Sequence, residues 1–332
     1  MVPVFDPNLV PLMPCTNKRA WKLMTRKTAK PYWRKGIFCI VLQRPPSGYA
    51  MQDVVVAIDP GSKRTGVTVA TPTKVVTNFL ANTPSNVKAK VEQRKDLRRT
   101  RRSRNRPYRK CRSNRKIGGL PPSTKARWQA HLRLIDLCRS LFKVTLVVIE
   151  DIAARTRANA RRWNVNFSPL QVGKQWFANK IAERNLPLCK FRGYETAAWR
   201  SNRAFNKASN KLADVWEAHN VDSHCLAEMA MGKKIDPVKH FYRINFLQPH
   251  RRQLHVTNAK KGKRRRQGGT TTNGIQRGTL VRHIKYGLTQ IGGFCKTGIT
   301  LTQLFTGIKI VRSAKLNDLA VVGKLNWRIK YC

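Results

Sequence analysis

The stretch Val54-Val55-Val56-Ala57-Ile58-Asp59-Pro60-Gly61 decides how this 332-residue chain is read. Five apolar, mostly β-branched residues run into a carboxylate and then a turn. That pattern predicts a buried strand with Asp59 at its end, where the backbone stops and a site can open. Strands continue after it. Pro60-Gly61-Ser62 turns into Gly66-Val67-Thr68-Val69-Ala70, and a second turn leads to another apolar run at 75–80. Three short strands joined by tight turns predict an antiparallel meander.

An acid at such a position stands out because acids are scarce. The chain has 67 Lys plus Arg against 16 Asp plus Glu, a formal net charge of +51. Self-repulsion on this scale calls for neutralisation by a polyanion, and nucleic acid is the expected partner. No run of about 18 apolar residues exists, so no membrane span or membrane partner is expected. Asp6 and Pro3, Pro7, Pro11 and Pro14 interrupt the segment where a signal peptide would need apolar continuity, so a cytoplasmic location is expected. Eight cysteines lie at least 24 residues apart with no CxxC pair, which argues against a zinc ribbon and for reduced core thiols.

The flanking segments differ in kind. Residues 1–50 form a small Pro-rich, basic unit with an amphipathic helix at 18–24 and a strand at 36–42. From 94 to 116, 13 of 23 residues are Lys or Arg against one acid. Composition alone allows a disordered basic tail there. Its position between strands and an apolar helix predicts a structured helix, whose arginines suit bidentate phosphate contacts. Helices are expected at 124–142, 170–184 and 208–231, with strands at 144–149 and 188–191. From 236 onward, basic loops and short alternating strands predict a small β-rich domain.

Three carboxylates carry the chemistry. Asp59 and Glu150 each end an apolar strand, and Asp222 lies on a helix face among apolar residues. Singly, each has an ordinary explanation: a strand-terminal Asp before Pro-Gly is more often a turn residue, and Glu-Asp after a strand is often a cap. Together their element order, β-β-β-α-β-α-β-α, is that of the RNase H-like nuclease superfamily. Phosphodiester hydrolysis with two divalent metals needs several carboxylates at one point, and Mg²⁺ takes hard oxygen ligands. His219, one turn before Asp222, reads as a general base or an extra metal-side ligand; a satisfied core histidine is the alternative. His224 points off that face and reads as structural.

VVVAIDPGSKRTG at 54–66, Arg98-Arg99-Thr100-Arg101-Arg102, Ile149-Glu150-Asp151, His219-Asn220-Val221-Asp222 and Pro11-Leu12-Met13-Pro14 resemble motifs of the IscB/IsrB group. These are transposon-encoded RNA-guided nucleases with a split RuvC domain, related to CRISPR type II effectors. Arg251-Arg252-Gln253-Leu254-His255 and the following Lys/Arg loop look like their C-terminal half. The resemblance implies an α/β fold: an RNase H-like (RuvC) mixed sheet with flanking helices, an inserted Arg-rich bridge helix and a small β-rich C-terminal domain. The implied division is an N-terminal PLMP domain (1–50), RuvC segment I (51–84), bridge helix (85–118), RuvC segment II (119–155), linker and RuvC segment III (156–235), and a C-terminal domain (236–332) meeting a target-adjacent motif.

By position, Asp59, Glu150 and Asp222 match the catalytic, metal-holding carboxylates and His219 the active-site histidine. The implied cofactors are Mg²⁺ in a two-metal site, with Mn²⁺ as a substitute, and a guide RNA. The implied partners are a long structured guide (omega) RNA and target double-stranded DNA carrying an adjacent motif, bound by a single protein chain. Arg94, Arg98, Arg99, Arg101, Arg102, Arg104, Arg106, Arg109, Arg251, Arg252, Lys263, Arg264 and Arg265 are the expected nucleic-acid contacts. Ser223 departs from the Ala common in that group. None of the seven histidines falls between 151 and 218, so an HNH nuclease cannot be built there. The expectation is therefore an IsrB-type nickase that cuts the displaced strand. A guide-independent RuvC-like structure-specific nuclease and a non-enzymatic basic RNA-binding protein are the alternatives.

Overall fold

The computed structural model describes residues 1–103, 120–153, 168–247, 271–272, 275–295, 297–325 and 327–332, and the chain divides into two units. The first comprises Met1–Tyr49 and His240–Cys332, and the second Ala50–Lys239. The chain opens with β1 (Val4–Phe5), α1 (Asn17–Thr25), β2 (Ala29–Arg34) and β3 (Ile37–Leu42). β3 pairs parallel with β1 and antiparallel with β2. Thr16 caps α1 by accepting the Arg19 N–H, and Ala20 of that helix packs with Val4, Leu12 and Ile40.

The second unit holds β4 (Val55–Asp59), β5 (Arg64–Thr71), β6 (Lys74–Asn82), α2 (Val87–Arg102), α3 (Pro122–Leu141), β7 (Leu146–Asp151), α4 (Pro169–Ala182), β8 (Leu188–Arg192), α5 (Gly193–Asn202) and α6 (Trp216–Met231). The order across its strands is β6-β5-β4-β7-β8. β4, β5 and β6 form the expected antiparallel meander, while β7 runs parallel to both β4 and β8. Numbered along this unit, the strands lie 3-2-1-4-5, the RNase H-like order, in a mixed sheet with flanking helices. β4 is apolar at every position before Asp59 because both faces are covered: Val55, Val56, Ala57 and Ile58 are all buried.

The rest of the first unit is strand-rich. It contains β9 (Tyr242–Phe246), the hairpin strands β10 (Thr271–Thr272) and β11 (Ile275–Gln276), then β12 (Leu280–His283), β13 (Gly287–Phe294), β14 (Ile299–Thr302), β15 (Lys309–Ala314), β16 (Leu319–Gly323) and β17 (Trp327–Tyr331). A five-stranded sheet has the order β15-β14-β13-β12-β16, around Val281, Ile291 and Leu301. β9 pairs antiparallel with β17. Among the described residues every cysteine is free, with Cys15, Cys39, Cys138 and Cys225 buried; Cys111 lies outside them. No described helix is long and apolar enough to cross a membrane.

Helix α6 is the pillar of the second unit. It starts eight residues later than the apolar pattern from 208 suggests. Leu212, inside the expected helix at 208–231, is 55% exposed, and its N–H is taken by the Asn210 side chain in a local turn. From Ala218 to Glu228 every residue is buried. Glu228 is fully buried and accepts from Trp199 Nε1 (2.8 Å), Arg203 Nε (3.1 Å) and the Ile235 N–H (2.7 Å). His224, read as structural, joins this network: its Nε2 lies 3.4 Å from Glu228 Oε1 and 3.2 Å from the Ile235 carbonyl. These bonds tie α5 and the 232–235 loop to α6.

Burial alone would raise the Glu228 carboxyl, but hydrogen bonds from His224, Ile235 and Trp199 pull it down to about 2. Its folded value lies below the value of about 4.3 for an unfolded Glu, so its contribution is present above that value and is lost as pH falls toward 2. Glu228→Ala should destabilise the fold by about 2–4 kcal/mol at neutral pH, because it leaves the half-buried Arg203 guanidinium, the Trp199 Nε1 and the Ile235 N–H without their shared acceptor. The deficit relative to wild type, measured by denaturant unfolding, should shrink on acidification through that window.

Candidate active site

The parallel register of β4 and β7 runs from Val55↔Leu146 to Ile58↔Ile149, so Asp59 and Glu150 fall side by side at the next step. Side-chain alternation sets their direction. Val55, Ala57 and Val148 face the cluster that includes Leu226 and Ala227 of α6. Asp59 and Glu150, two residues further along their strands, project from that same face. Both stand at carboxyl ends of parallel strands, where open α/β sheets present their crevices.

Asp222 arrives from α6, and one glycine sets how closely. Gly66 of β5 pairs with Asp59, and a Cβ there would overlap the His219 carbonyl. The helix backbone therefore lies directly on the strand. Asn220 fixes it by donating from Nδ2 to the Val67 and Phe79 carbonyls, each at 3.2 Å. Ser223, the departure from Ala, is fully buried, with its Oγ 2.8 Å from Thr68 Oγ1 and 3.1 Å from the Asn220 carbonyl. A hydroxyl is thus satisfied where a methyl would only pack.

The three carboxylates feel one another. Burial, then Asp222, then Glu150 push the Asp59 carboxyl up to about 7, while Lys207 and Arg200 pull it back. Burial and Asp222 likewise raise Glu150. Gly193, the first residue of α5, gives Glu150 room: a Cβ there would lie 2.9 Å from Glu150 Oε1. Both oxygens of Asp222 are engaged, Oδ1 by Arg200 Nη1 at 2.5 Å and Oδ2 by Lys207 Nζ. Among the described residues no three acid, His or Cys side chains stand at metal-ligand spacing. The donor set still fits a hard divalent cation: three carboxylates in one locality, two of them raised by burial and by the charge of Asp222, with two side-chain cations on Asp222 itself.

His219 is 8% exposed, and its Nε2 has no hydrogen-bond partner. Burial and then the Arg64 charge lower its pKa, against a backbone hydrogen bond at Ala213. Arg64 is itself paired with Asp214. The ring is therefore neutral, with one nitrogen free.

Of the expected nucleic-acid contacts, Arg94, Arg98 and Arg99 are exposed on α2, where every residue from 91 to 100 is exposed. Arg101 and Arg102 belong to α2, but their side chains are outside the described residues. Arg104, Arg106, Arg109, Arg251, Arg252, Lys263, Arg264 and Arg265 also lie outside them. Sequence reading missed Arg200, Lys207, Gly66 and Gly193. Gly66 was visible as a strand residue, but its role depends on facing Asp59 in the register.

The strand order and the gathered carboxylates define an RNase H-like α/β domain. A family described as RRXRR protein matches residues 2–164, slightly less than half of the chain, and Arg98-Arg99-Thr100-Arg101-Arg102 spells that pattern. No curated protein matches the sequence. Among solved structures, Thermus thermophilus RuvC in complex with a Holliday junction substrate is 12% identical, covering 56% of this chain and 83% of its own, with a TM-score of 0.27. A second Thermus thermophilus RuvC structure is 14% identical, covers 56% and 84%, and has a TM-score of 0.26. The yeast mitochondrial Holliday junction resolvase Ydc2 is 17% identical, covers 57% and 65%, and has a TM-score of 0.23. Likenesses this partial carry no weight on function, and the fold assignment rests on the strand order.

Asp59→Asn removes a charge that its surroundings disfavour. The folded Asp59 value lies above the unfolded one, about 3.9, so its contribution to stability is present below that value and lost as pH rises through about 7. At pH 8 in metal-free buffer the variant should be more stable than wild type by roughly 1–3 kcal/mol, with the gap closing toward about pH 4 in chemical denaturation. Gly66→Ala should cost about 1–3 kcal/mol or more by lifting α6 from β5, read in the same experiment.

Proposed function

We propose that the chain is an RNA-guided DNA endonuclease that nicks the displaced strand of its target. The observation that carries this reading is the meeting of Asp59, Glu150 and Asp222, 91 and 72 residues apart in sequence, over two adjacent strand ends. Guide pairing would supply sequence recognition, leaving the protein to hold backbone and the displaced strand. The exposed arginines of α2 and the charge of +51 suit a long RNA partner. The resemblance to the IscB/IsrB group assigns the bridge role to this helix and motif recognition to the C-terminal domain.

Asp59, Glu150 and Asp222 would hold the divalent cations. Mg²⁺ or Mn²⁺, when bound, supplies Lewis-acid stabilisation of charge on the phosphoryl oxygens. The neutral His219 ring, with Nε2 free, accepts the proton of the attacking water as the new P–O bond forms. The old P–O bond breaks, and its oxygen takes a proton from solvent. Arg200 and Lys207, held beside Asp222, neutralise the carboxylate before substrate arrives and can follow a phosphate oxygen afterwards. One such site cuts one strand, and the absence of histidine from 151 to 218 gives no basis for a second nuclease of the HNH kind.

The test is to purify the chain with the RNA that accompanies it, sequence that RNA, and supply a supercoiled plasmid carrying the matching target with Mg²⁺. Open circles are expected. Asp59→Ala should lower the rate by at least about 100-fold, and His219→Ala by roughly 10²–10⁴-fold. Linear products, or nicking that survives Asp59→Ala, would sink the proposal. Nicking of branched DNA without RNA would favour a structure-specific nuclease instead.

A further inference from the structure

A cavity of about 580 Å³ opens beside Asp59 and Glu150, over the carboxyl ends of β4 and β7. Its size is that of a small-ligand site. Arg127, Trp128 and His131 of α3 form one wall, and Ser168 and Lys174 at the start of α4 another. Trp128 is held rigidly, its ring 4.8 Å from Phe177 and edge-on to His131 at 5.2 Å. His131 is only 3% exposed. Its Nε2 is 3.0 Å from Thr65 Oγ1, but its Nδ1 has no partner. Burial, then Arg127, holds its pKa down at about 3, so the ring is neutral and can exchange hydrogen bonds with a neutral group. Lys174 is committed to Asp151 at 2.5 Å, whereas Arg127 forms no ion pair among the described residues.

An uncompensated guanidinium, a fixed aromatic pair and an unsatisfied buried ring nitrogen match the parts of a nucleotide. The guanidinium suits a phosphate, and the rings suit a base face and a base-edge hydrogen bond. The cavity reaches Asp59 and Glu150 themselves, so its occupant lies next to the group they act on. We propose that this cavity takes the unpaired nucleotide next to the scissile phosphate, with its phosphate toward Arg127 and its base against Trp128 and His131. This deepens the nuclease reading and rests on it for the word scissile. A base inside a duplex is stacked and paired, so a pocket that takes one base selects a strand that is single at the point of cutting.

The test is photo-crosslinking of the full-length chain to an oligodeoxynucleotide in which 5-iodouracil replaces thymine, with the attachment mapped by mass spectrometry after trypsin digestion. The single strand should crosslink to the peptide containing Trp128 and His131, and the same oligonucleotide in a duplex should not. Arg127→Ala should reduce that crosslink about tenfold, the loss of one charge-assisted contact, whereas Arg133→Ala, an equal charge change on the exposed side of α3, should leave it unchanged. No crosslink at this peptide, equal crosslinking by duplex, or equal loss in both variants would overturn the proposal. Asp59→Asn separates the two readings. The crosslink should survive it while cleavage is lost. A crosslink with no cleavage by wild type would keep a nucleotide site and remove the nuclease; cleavage without the crosslink would do the reverse.

Discussion

Backbone lies on backbone where α6 crosses Gly66, and the arrangement of the second unit follows from that contact. A side chain on β5 at this point would hold the helix off the sheet. Without one, Asp222 comes within electrostatic reach of Asp59, the residue paired with Gly66 across the strands. Three like charges then share a small, poorly solvated region. Coulomb repulsion at such range is costly, and the protein offsets it with Arg200 and Lys207 on Asp222.

Arg200 is placed by a second, deeper charge cluster. Arg200 sits on α5, whose Trp199 is bonded to the buried Glu228 carboxylate, as is Arg203 just beyond its end. Glu228 is fully satisfied and pulled strongly toward its charged form. Asp59, three strand positions from the fully buried Val56, is pushed the other way. The same fold thus holds one carboxylate where charge is stabilised and another where it is resisted. Resisted charge beside a cavity is the usual mark of a site built for a ligand rather than for stability.

The strand–acid pattern was legible because it is local. Apolar β-branched runs at 54–58 and 144–149 mark strands, and an acid directly after each marks a strand end. The meander, the order of helices and the neighbourhood of the three carboxylates follow from that. Helix α5 was not legible. Thr196 is its only buried residue, so it shows no apolar stripe, and the Glu195 side chain closes its start by accepting the Arg192 N–H at 2.6 Å. Arg200 and Lys207 were hidden too, since two cations among the 67 of this chain carry no signal. β13 carries little strand signal because Gly292-Gly293 interrupts the alternation that marks a strand.

The polar seam between α6 and the sheet has a consequence for error. A surface of valines and alanines offers a helix several seats of similar energy, and sliding by one turn, about 5.4 Å, would forfeit little apolar contact. Asn220 reaches two carbonyls at once, and Ser223 meets Thr68, which in turn donates to Asn78 Oδ1 at 2.9 Å. In a dry interface, every seat but one would leave these groups unpaired. The seam works as an index mark. It adds less to how tightly the helix is held than to where along its axis it stops, and an aspartate one helical turn out of place would be no part of a site.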